Sequence, residues 1–320
     1  MNINTSILTF KKRLKILLPR RNTNFKVNIP FYIMLLPGII WYIIFKYVPM
    51  YGAIIAFKDY NIAEGIIGSS WSDPLFKNFM TLFNSPYFVQ VLSNTLFISI
   101  YKIVFGMLPP LILALLISEC TVGWFKRLVQ TITYMPHFLS WVIIYGIMMA
   151  LFSQGGGIVN YWIVQAGGKS IPFLSSSEWF RSFLVGSDIW QSAGWGAIIY
   201  LASITSIDES LYEAAILDGC GRLKRIWYIT LPSISGVFFL LLVLRIGGIL
   251  DAGFDQVFIM YNINVYDVGD IIDTWVYRTG MSQLNFSLAS AVGLFKSVIG
   301  MILMVTANYL SGKFGDRSIW

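Results

Sequence analysis

The chain has 320 residues, of which 56% are hydrophobic and only 12% charged, against roughly a quarter charged in soluble domains. With a mean hydropathy of +0.68 and 24 Phe, 17 Tyr and 11 Trp, the composition leaves almost no room for a soluble globular enzyme and describes a polytopic helical membrane protein. The net charge of +7 could serve nucleic acid, anionic lipid or membrane topology, and the order of residues along the chain separates these.

Residues 1–30 hold Lys11, Lys12, Arg13, Lys15, Arg20, Arg21 and Lys26 with no acid, and an apolar stretch follows over about 31–48. A cationic flank before a span places the N-terminus in the cytoplasm. A cleaved signal peptide is the rival reading, but the stretch is long, contains Pro37, lacks a small-x-small cleavage site and precedes further spans. Those spans read about 90–118, 128–152, 184–206, 233–254 and 286–311, giving six, with both ends inside. The cytoplasmic segments then carry the seven tail cations together with Lys126, Arg127, Arg222, Lys224, Arg225, Lys313 and Arg317, while the outer ones carry Lys58, Lys77, Lys169, Arg181 and Arg278. The basic balance is therefore a topology signal and needs no nucleic acid.

The outer connections, 49–89, 153–183 and 255–285, are polar and aromatic and too short for separate domains. The organisation expected is one all-helical membrane domain, 31–315, between a basic tail of residues 1–30 and a cytoplasmic tail of 316–320. Cys120 and Cys220 have no Cys or His partners at zinc spacing, and His137 is the single histidine, so no metal cluster is indicated.

The longest loop between spans on the cytoplasmic side, about 208–232, reads Glu213-Ala214-Ala215-Ile216-Leu217-Asp218-Gly219-Cys220 and, after a basic stretch, Ile229-Thr230-Leu231-Pro232. Leu211 to Leu217 is a short helix-forming run in which two alanines let another surface approach closely, Gly219 frees the backbone for a turn, and Pro232 starts a span where a missing donor is tolerated. A compact helix, a turn and a second helix entering the membrane make a lever that could transmit motion from a cytoplasmic partner. The segment resembles the EAA loop of ABC importer permeases in every patterned position and in its place between the fourth and fifth spans.

Further similarity to carbohydrate-importer permeases of the polysaccharide type lies in Pro49-Met50-Tyr51-Gly52, Ala56-Phe57-Lys58-Asp59-Tyr60, Pro136-His137-Phe138, Ser140-Trp141-Val142, Arg245 to Leu250, Ala252 to Asp255, Asp270 to Thr274 and Val276-Tyr277-Arg278. The resemblance implies an oligosaccharide importer in the cell membrane. This chain would pair with a second homologous permease, two cytoplasmic ATP-binding subunits and an external solute-binding protein. Glu213, Ala214, Ala215, Asp218, Gly219, Leu231 and Pro232 would couple to the ATPase, and ATP and Mg would be bound by the partners, with no cofactor in this chain. Gly168-Lys169-Ser170 imitates the end of a phosphate-binding loop, but Ile163 stands where its first glycine is required.

Ionisable groups inside a span mark function by default. At about 1.5 Å per residue, Lys102 lies roughly 18 Å from the outer edge, Lys296 about 15 Å from it and Arg245 about 18 Å from the inner edge, all near the midplane. Asp188, the nearest acid, falls close to the outer surface on these boundaries, so the expectation is that the chain does not neutralise its own midplane cations. They would favour a carboxylate-bearing, uronate-type oligosaccharide, with Trp190, Trp195 and Tyr200 stacking on sugar faces; the alternative is pairing with carbonyls or partner acids, and aromatics that merely pack. Rival functions are a peptide or other solute importer of the same family, a stand-alone secondary transporter and a membrane enzyme. The spans show no repeat symmetry or acidic coupling residues for the second, and no reactive constellation for the third.

Overall fold

The computed structural model describes the backbone of residues 25–315 and side chains from 28 to 309. Most of the basic tail read over 1–30 and the tail read over 316–320 lie outside the described residues. The described chain is helical; its β structure is one isolated bridge between Lys58 and Trp71. It divides into two compact units, Met1–Ala53 and Ile54–Trp320.

In the first unit, α1 (Phe25–Tyr42) runs into a π-helical turn, Ile43–Tyr47. Phe31, Met34 and Trp41 expose apolar side chains, which suits a helix whose solvent is lipid and whose backbone groups are bonded within the helix.

The second unit holds α2 (Pro86–Gly106), α3 (Leu108–Ser118), α4 (Gly123–Tyr134), α5 (Trp141–Phe152), α6 (Ser177–Thr205), α7 (Glu209–Leu217), α8 (Leu231–Gly247), α9 (Phe254–Met260), α10 (Ile272–Tyr277) and α11 (Phe286–Gly315). Pro86 opens α2 at a position where a missing donor costs nothing, and Pro109 and Pro110 at the start of α3 mark the break after Gly106. Among the described residues, four helical runs are long and apolar enough to cross a membrane: Asn28–Phe57, Pro86–Ser118, Arg222–Gly247 and Phe286–Tyr309.

The third expected span, 128–152, is not one straight helix. α4 and its 3-10 extension to Phe138 meet α5 at a bend of 106°. Pro136 cannot donate to the preceding turn, and Ser140 starts a fresh helix by accepting from the Ile143 N–H at 3.5 Å. Counted as one crossing, this pair makes five. α6 has 29 residues, about 43 Å at 1.5 Å per residue and long enough to cross, but it carries Glu178, Arg181 and Asp188.

α6 is the central helix. Phe180 and Leu184 pack with Ile98, Ile144, Val257, Met260 and Ile271, while Ala197 and Tyr200 pack with Ala114 and Ile234. A β-carbon at Gly194 would overlap the Thr133 carbonyl, so glycine is what lets α6 lie against the end of α4, as small residues do at helix contacts in lipid.

The segment read as an outer connection, 255–285, is largely folded into this core. Val257, Met260, Ile271 and Ile272 are fully buried, together with the polar Gln256, Asp270 and Thr274. Their hydrogen bonds explain how polar groups are kept there. Asp270 accepts from Arg278 through both oxygens, 2.8 and 2.6 Å, from Thr274 at 2.7 Å and from the Tyr87 hydroxyl. Asn94 Nδ2 donates to the Asp267 and Asp270 carbonyls at 3.0 Å, and Arg181 reaches Asn94 Oδ1 at 2.8 Å and the Val268 carbonyl at 3.1 Å.

Earlier in the unit, Lys58 is buried with its ammonium on the Ile66 and Ser69 carbonyls, 2.7 and 2.8 Å, and over the Trp71 ring. Beside it the Lys77 ammonium, 3.0 Å from Asp59, holds that carboxyl below its ordinary range.

Candidate functional site

The loop between α6 and α8 is shaped by its own sequence. Asp208 caps α7 by accepting from the Ser210 N–H at 3.0 Å, and that bond holds its carboxyl below the usual aspartate value. At the other end Gly219 has φ +74. The Gly219 N–H donates to the Ile216 carbonyl at 3.0 Å and the Cys220 N–H to Ala215 at 2.8 Å, the paired bonds of a Schellman closure, whose left-handed position glycine fills without steric cost. A short helix, Arg222–Arg225, and a π turn, Ile226–Thr230, then lead into α8 with Pro232 in its first turn.

The side chains of this loop divide sharply. Tyr212 and buried Thr230 share a hydrogen bond of 2.9 Å between their hydroxyls, which ties α7 to the base of α8. Leu217 and Leu223 are 89% and 82% exposed, and Ile216, Trp227 and Tyr228 are exposed too. Glu213, Ala214, Asp218 and Gly219 lie on the exposed side, whereas Ala215 and Leu231 are half-buried. α7 thus presents small and apolar groups around the Glu213 carboxylate, held in a preformed shape.

The three cations expected near the midplane line two adjoining cavities. The first, of about 380 Å³, is lined by Ser99, Lys102, Asp188, Ser192, Arg245 and Asp251. The expectation that the chain leaves its cations without acids is overturned for two of the three. Lys102 lies 3.3 Å from Asp188 and also donates to the Ala252 carbonyl at 2.8 Å and to Gln256. Lys296 contacts both oxygens of Asp273 at 2.7 Å. The error lay in the boundary of α6, which starts at Ser177 rather than 184 and so carries Asp188 about 17 Å into the helix instead of leaving it at the edge.

Arg245 differs. It stands in the last turn of α8, half-buried, with one bond to the Lys102 carbonyl at 3.3 Å and, among the described residues, no carboxylate within 4.0 Å. Ser99 in the same cavity has a buried hydroxyl without a hydrogen-bond partner. Asp251 is exposed, accepts from the Gly253 N–H at 3.2 Å, and forms no ion pair among the described residues. It also lines the second, more open cavity of about 500 Å³, where Phe254, Tyr277, Asp273 and Lys296 stand. The arrangement offers one guanidinium for a carboxylate, and hydroxyl and carboxylate acceptors for sugar hydroxyls.

None of the aromatics expected beside these cations lines either charged cavity. Tyr200 is buried against Ala114, Ala197 and Ile234. Trp195 stacks on His137 with ring centroids 4.6 Å apart, and Trp190 lines a separate apolar cavity with Ile144, Met148 and Phe183. The rings that do border the charged cavities are Phe254, at the end of the expected fifth span, Tyr277, in the segment read as a connection, and Phe286, at the start of α11. Ser99, Gln256 and Asp251 were also missed, and Asp188 was named but put at the outer edge. Charge balance was the available signal, since three cations near the midplane call for acids at the same depth.

Residues 106–315 match the family of the binding-protein-dependent transport system inner membrane component. Over 289 residues the chain is 46% identical to the polygalacturonan/rhamnogalacturonan transport system permease protein YteP of Bacillus subtilis (strain 168), covering 90% of this chain and 89% of that one. It is 44% identical to Protein LplB of the same organism, covering 90% of each. A bacterial alginate ABC transporter, crystallised with its alginate pentasaccharide-bound periplasmic protein, contains a chain that superposes with a TM-score of 0.83 at 37% identity, covering 94% of this chain and 100% of that one. The resemblance first drawn from the Glu213-to-Pro232 segment and the shared helical architecture lead to one conclusion: the chain belongs to the inner membrane component family of binding-protein-dependent transport systems, as a permease subunit of an ABC importer and not an enzyme.

Proposed function

We propose that this permease subunit carries acidic, uronate-containing oligosaccharides past Arg245 into the cell. The observation that carries the reading is the Arg245 guanidinium, bordering a cavity with no acid of the described chain within ion-pair distance. Its neighbours Lys102 and Lys296 are already matched. A planar guanidinium binds both oxygens of a carboxylate, and the low dielectric of the site strengthens that contact. Among the relatives are a polygalacturonan/rhamnogalacturonan permease and a transporter that imports the acidic polysaccharide alginate.

In this reading the chain crosses the membrane six times, with α4–α5 and α6 each counted once and both termini cytoplasmic, as the Lys and Arg distribution requires. It pairs with a second permease. Two cytoplasmic subunits bind ATP and Mg, and α7 with Glu213, Ala214, Ala215, Asp218 and Gly219 is the element they push, Leu231 and Pro232 passing the movement into α8. An external solute-binding protein delivers the sugar.

The test is uptake by the complete importer. Arg245→Met should lower uptake of an oligogalacturonate at least tenfold and Arg245→Lys about threefold, because lysine keeps the charge and loses the fork. A neutral oligosaccharide of equal length should change less than twofold. Equal loss on both substrates, or loss of assembly, makes Arg245 a structural residue and removes the acidic specificity.

A further inference from the structure

The second cavity borders Arg245's cavity through a shared residue, Asp251, yet differs from it in kind. Where the first is lined by charges, serines and glycines, the second sets aromatic rings beside charges. Phe254 and Tyr277 have ring centroids 5.7 Å apart, and Tyr277 contacts Phe258 at 4.8 Å. Tyr277 and Phe258 are 39% and 37% exposed, so apolar ring surface is open to whatever fills the cavity. Facing it, Lys296 has three donors, of which the two oxygens of Asp273 engage at most two. Ring faces for the C–H surface of a pyranose, carboxylates to accept its hydroxyls and a cation with donor capacity left are what one uronate sugar unit requires.

We propose that this second cavity is a separate subsite for the next sugar unit of the chain whose carboxylate is held at Arg245, with Tyr277 and Phe254 as the stacking residues and Asp251 as the hydroxyl acceptor between the two units. The proposal rests on the oligosaccharide reading above. It explains why Asp251, exposed and free of ion pairs among the described residues, stands at the junction: a lysine or arginine bound there would leave no acceptor for the sugar joining the two cavities. The position of Tyr277 is fixed from outside the cavity. The next residue, Arg278, is anchored to buried Asp270 and to Tyr87 and lies over the Tyr266 ring at 4.9 Å, so the start of the π turn cannot drift.

The experiment is uptake by the complete importer, with its solute-binding protein, of galacturonate of one unit and of the two-unit oligogalacturonate, for Tyr277→Leu and Phe254→Leu. Leucine keeps apolar bulk and removes the ring face, and exposed Tyr277 tolerates the change. KM for the two-unit chain, which reaches both cavities, should rise about fivefold in each variant, with kcat nearly unchanged, while KM for the single unit moves less than twofold. Tyr277→Phe and Phe254→Tyr should restore the wild-type values. An equal loss at both lengths, or no loss at two units, overturns the subsite. Should the wild-type importer take only neutral sugars, the acidic reading fails by itself, and the same length ratio measured on one- and two-unit neutral substrates still decides the subsite.

Discussion

The loop over α7 and the segment from α9 to α10 are both short helices joined by turns, and they are held by opposite means. α7 is closed by bonds between near neighbours, Asp208 to Ser210 at one end and Gly219 and Cys220 to Ile216 and Ala215 at the other, and the loop turns Leu217 and Leu223 outward. The α9–α10 segment is held by bonds to residues far along the chain: Gln256 to Leu184, Asp270 to Tyr87, Thr95 to Ile272. Its Val257, Met260, Ile271 and Ile272 are fully buried. A locally closed helix keeps its shape while its surroundings change, which suits an element pushed by a partner. A segment bonded to α2 and α6 moves only with them, which suits the wall of a cavity whose geometry must be kept.

The largest effect should come from cutting the distant bonds of the second region. Asp270 is fully buried and accepts from the Arg278 guanidinium through both oxygens. Asp270→Ala leaves that cation facing an empty acceptor, a change of about 3 kcal/mol or more in buried pairs, and the assembled importer should lose thermal stability and uptake together. The double variant Asp270→Ala/Arg278→Met removes both charges and should recover much of the stability in a melting experiment. If the single variant melts like wild type, the segment is not anchored where the contrast puts its anchor.

Next comes the first region, where function should fail while the fold survives. Proline at 219 demands φ near −65° where the chain has +74, and it removes the N–H that closes α7. Gly219→Pro should abolish uptake and substrate-stimulated ATPase activity with membrane insertion intact, since insertion is decided by the apolar spans. Glu213→Ala sharpens the point. Glu213 is exposed and makes no hydrogen bond or ion pair among the described residues, so its removal costs the chain itself little, and lost uptake with an unchanged melting point reports on the contact with the ATPase. Normal transport by well-expressed Gly219→Pro would remove the coupling role.

The same contrast accounts for what could be read from residue order. Asp208, Gly219 and Pro232 act on backbone atoms within a few residues, so the loop's helix, turn and second helix were legible as a pattern. Pro136 and Ser140 carried the signal of the bend before α5, but the apolar run across them outweighed it. α6 was begun too late because its first turns hold Ser177, Glu178 and Arg181, which look like a connection until Arg181 is seen bonded to Asn94 and Val268. The ion pairs join residues 102 with 188 and 273 with 296, and no local rule pairs them. The 255–285 segment read as a connection for the same reason: its polar residues are buried by partners elsewhere in the chain.

The smallest expected effect tests a side-chain bond that ties α7 to the base of α8. Tyr212 and Thr230 are 18 positions apart, and Thr230 is buried at the last residue before α8. Tyr212→Phe keeps the ring and deletes one hydrogen bond, a loss of about 1 kcal/mol, too little to alter insertion or assembly. If motion of α7 reaches α8 through this contact, uptake and substrate-stimulated ATPase activity should fall about two- to fivefold while basal ATPase activity is unchanged, and Thr230→Val, which deletes the other hydroxyl, should give the same loss. The two changes combined should be no worse than either alone, because they remove one bond. Additive losses, or full transport in both single variants, would mean that the push travels along the backbone of residues 218–231 and that the hydroxyl pair only fills space.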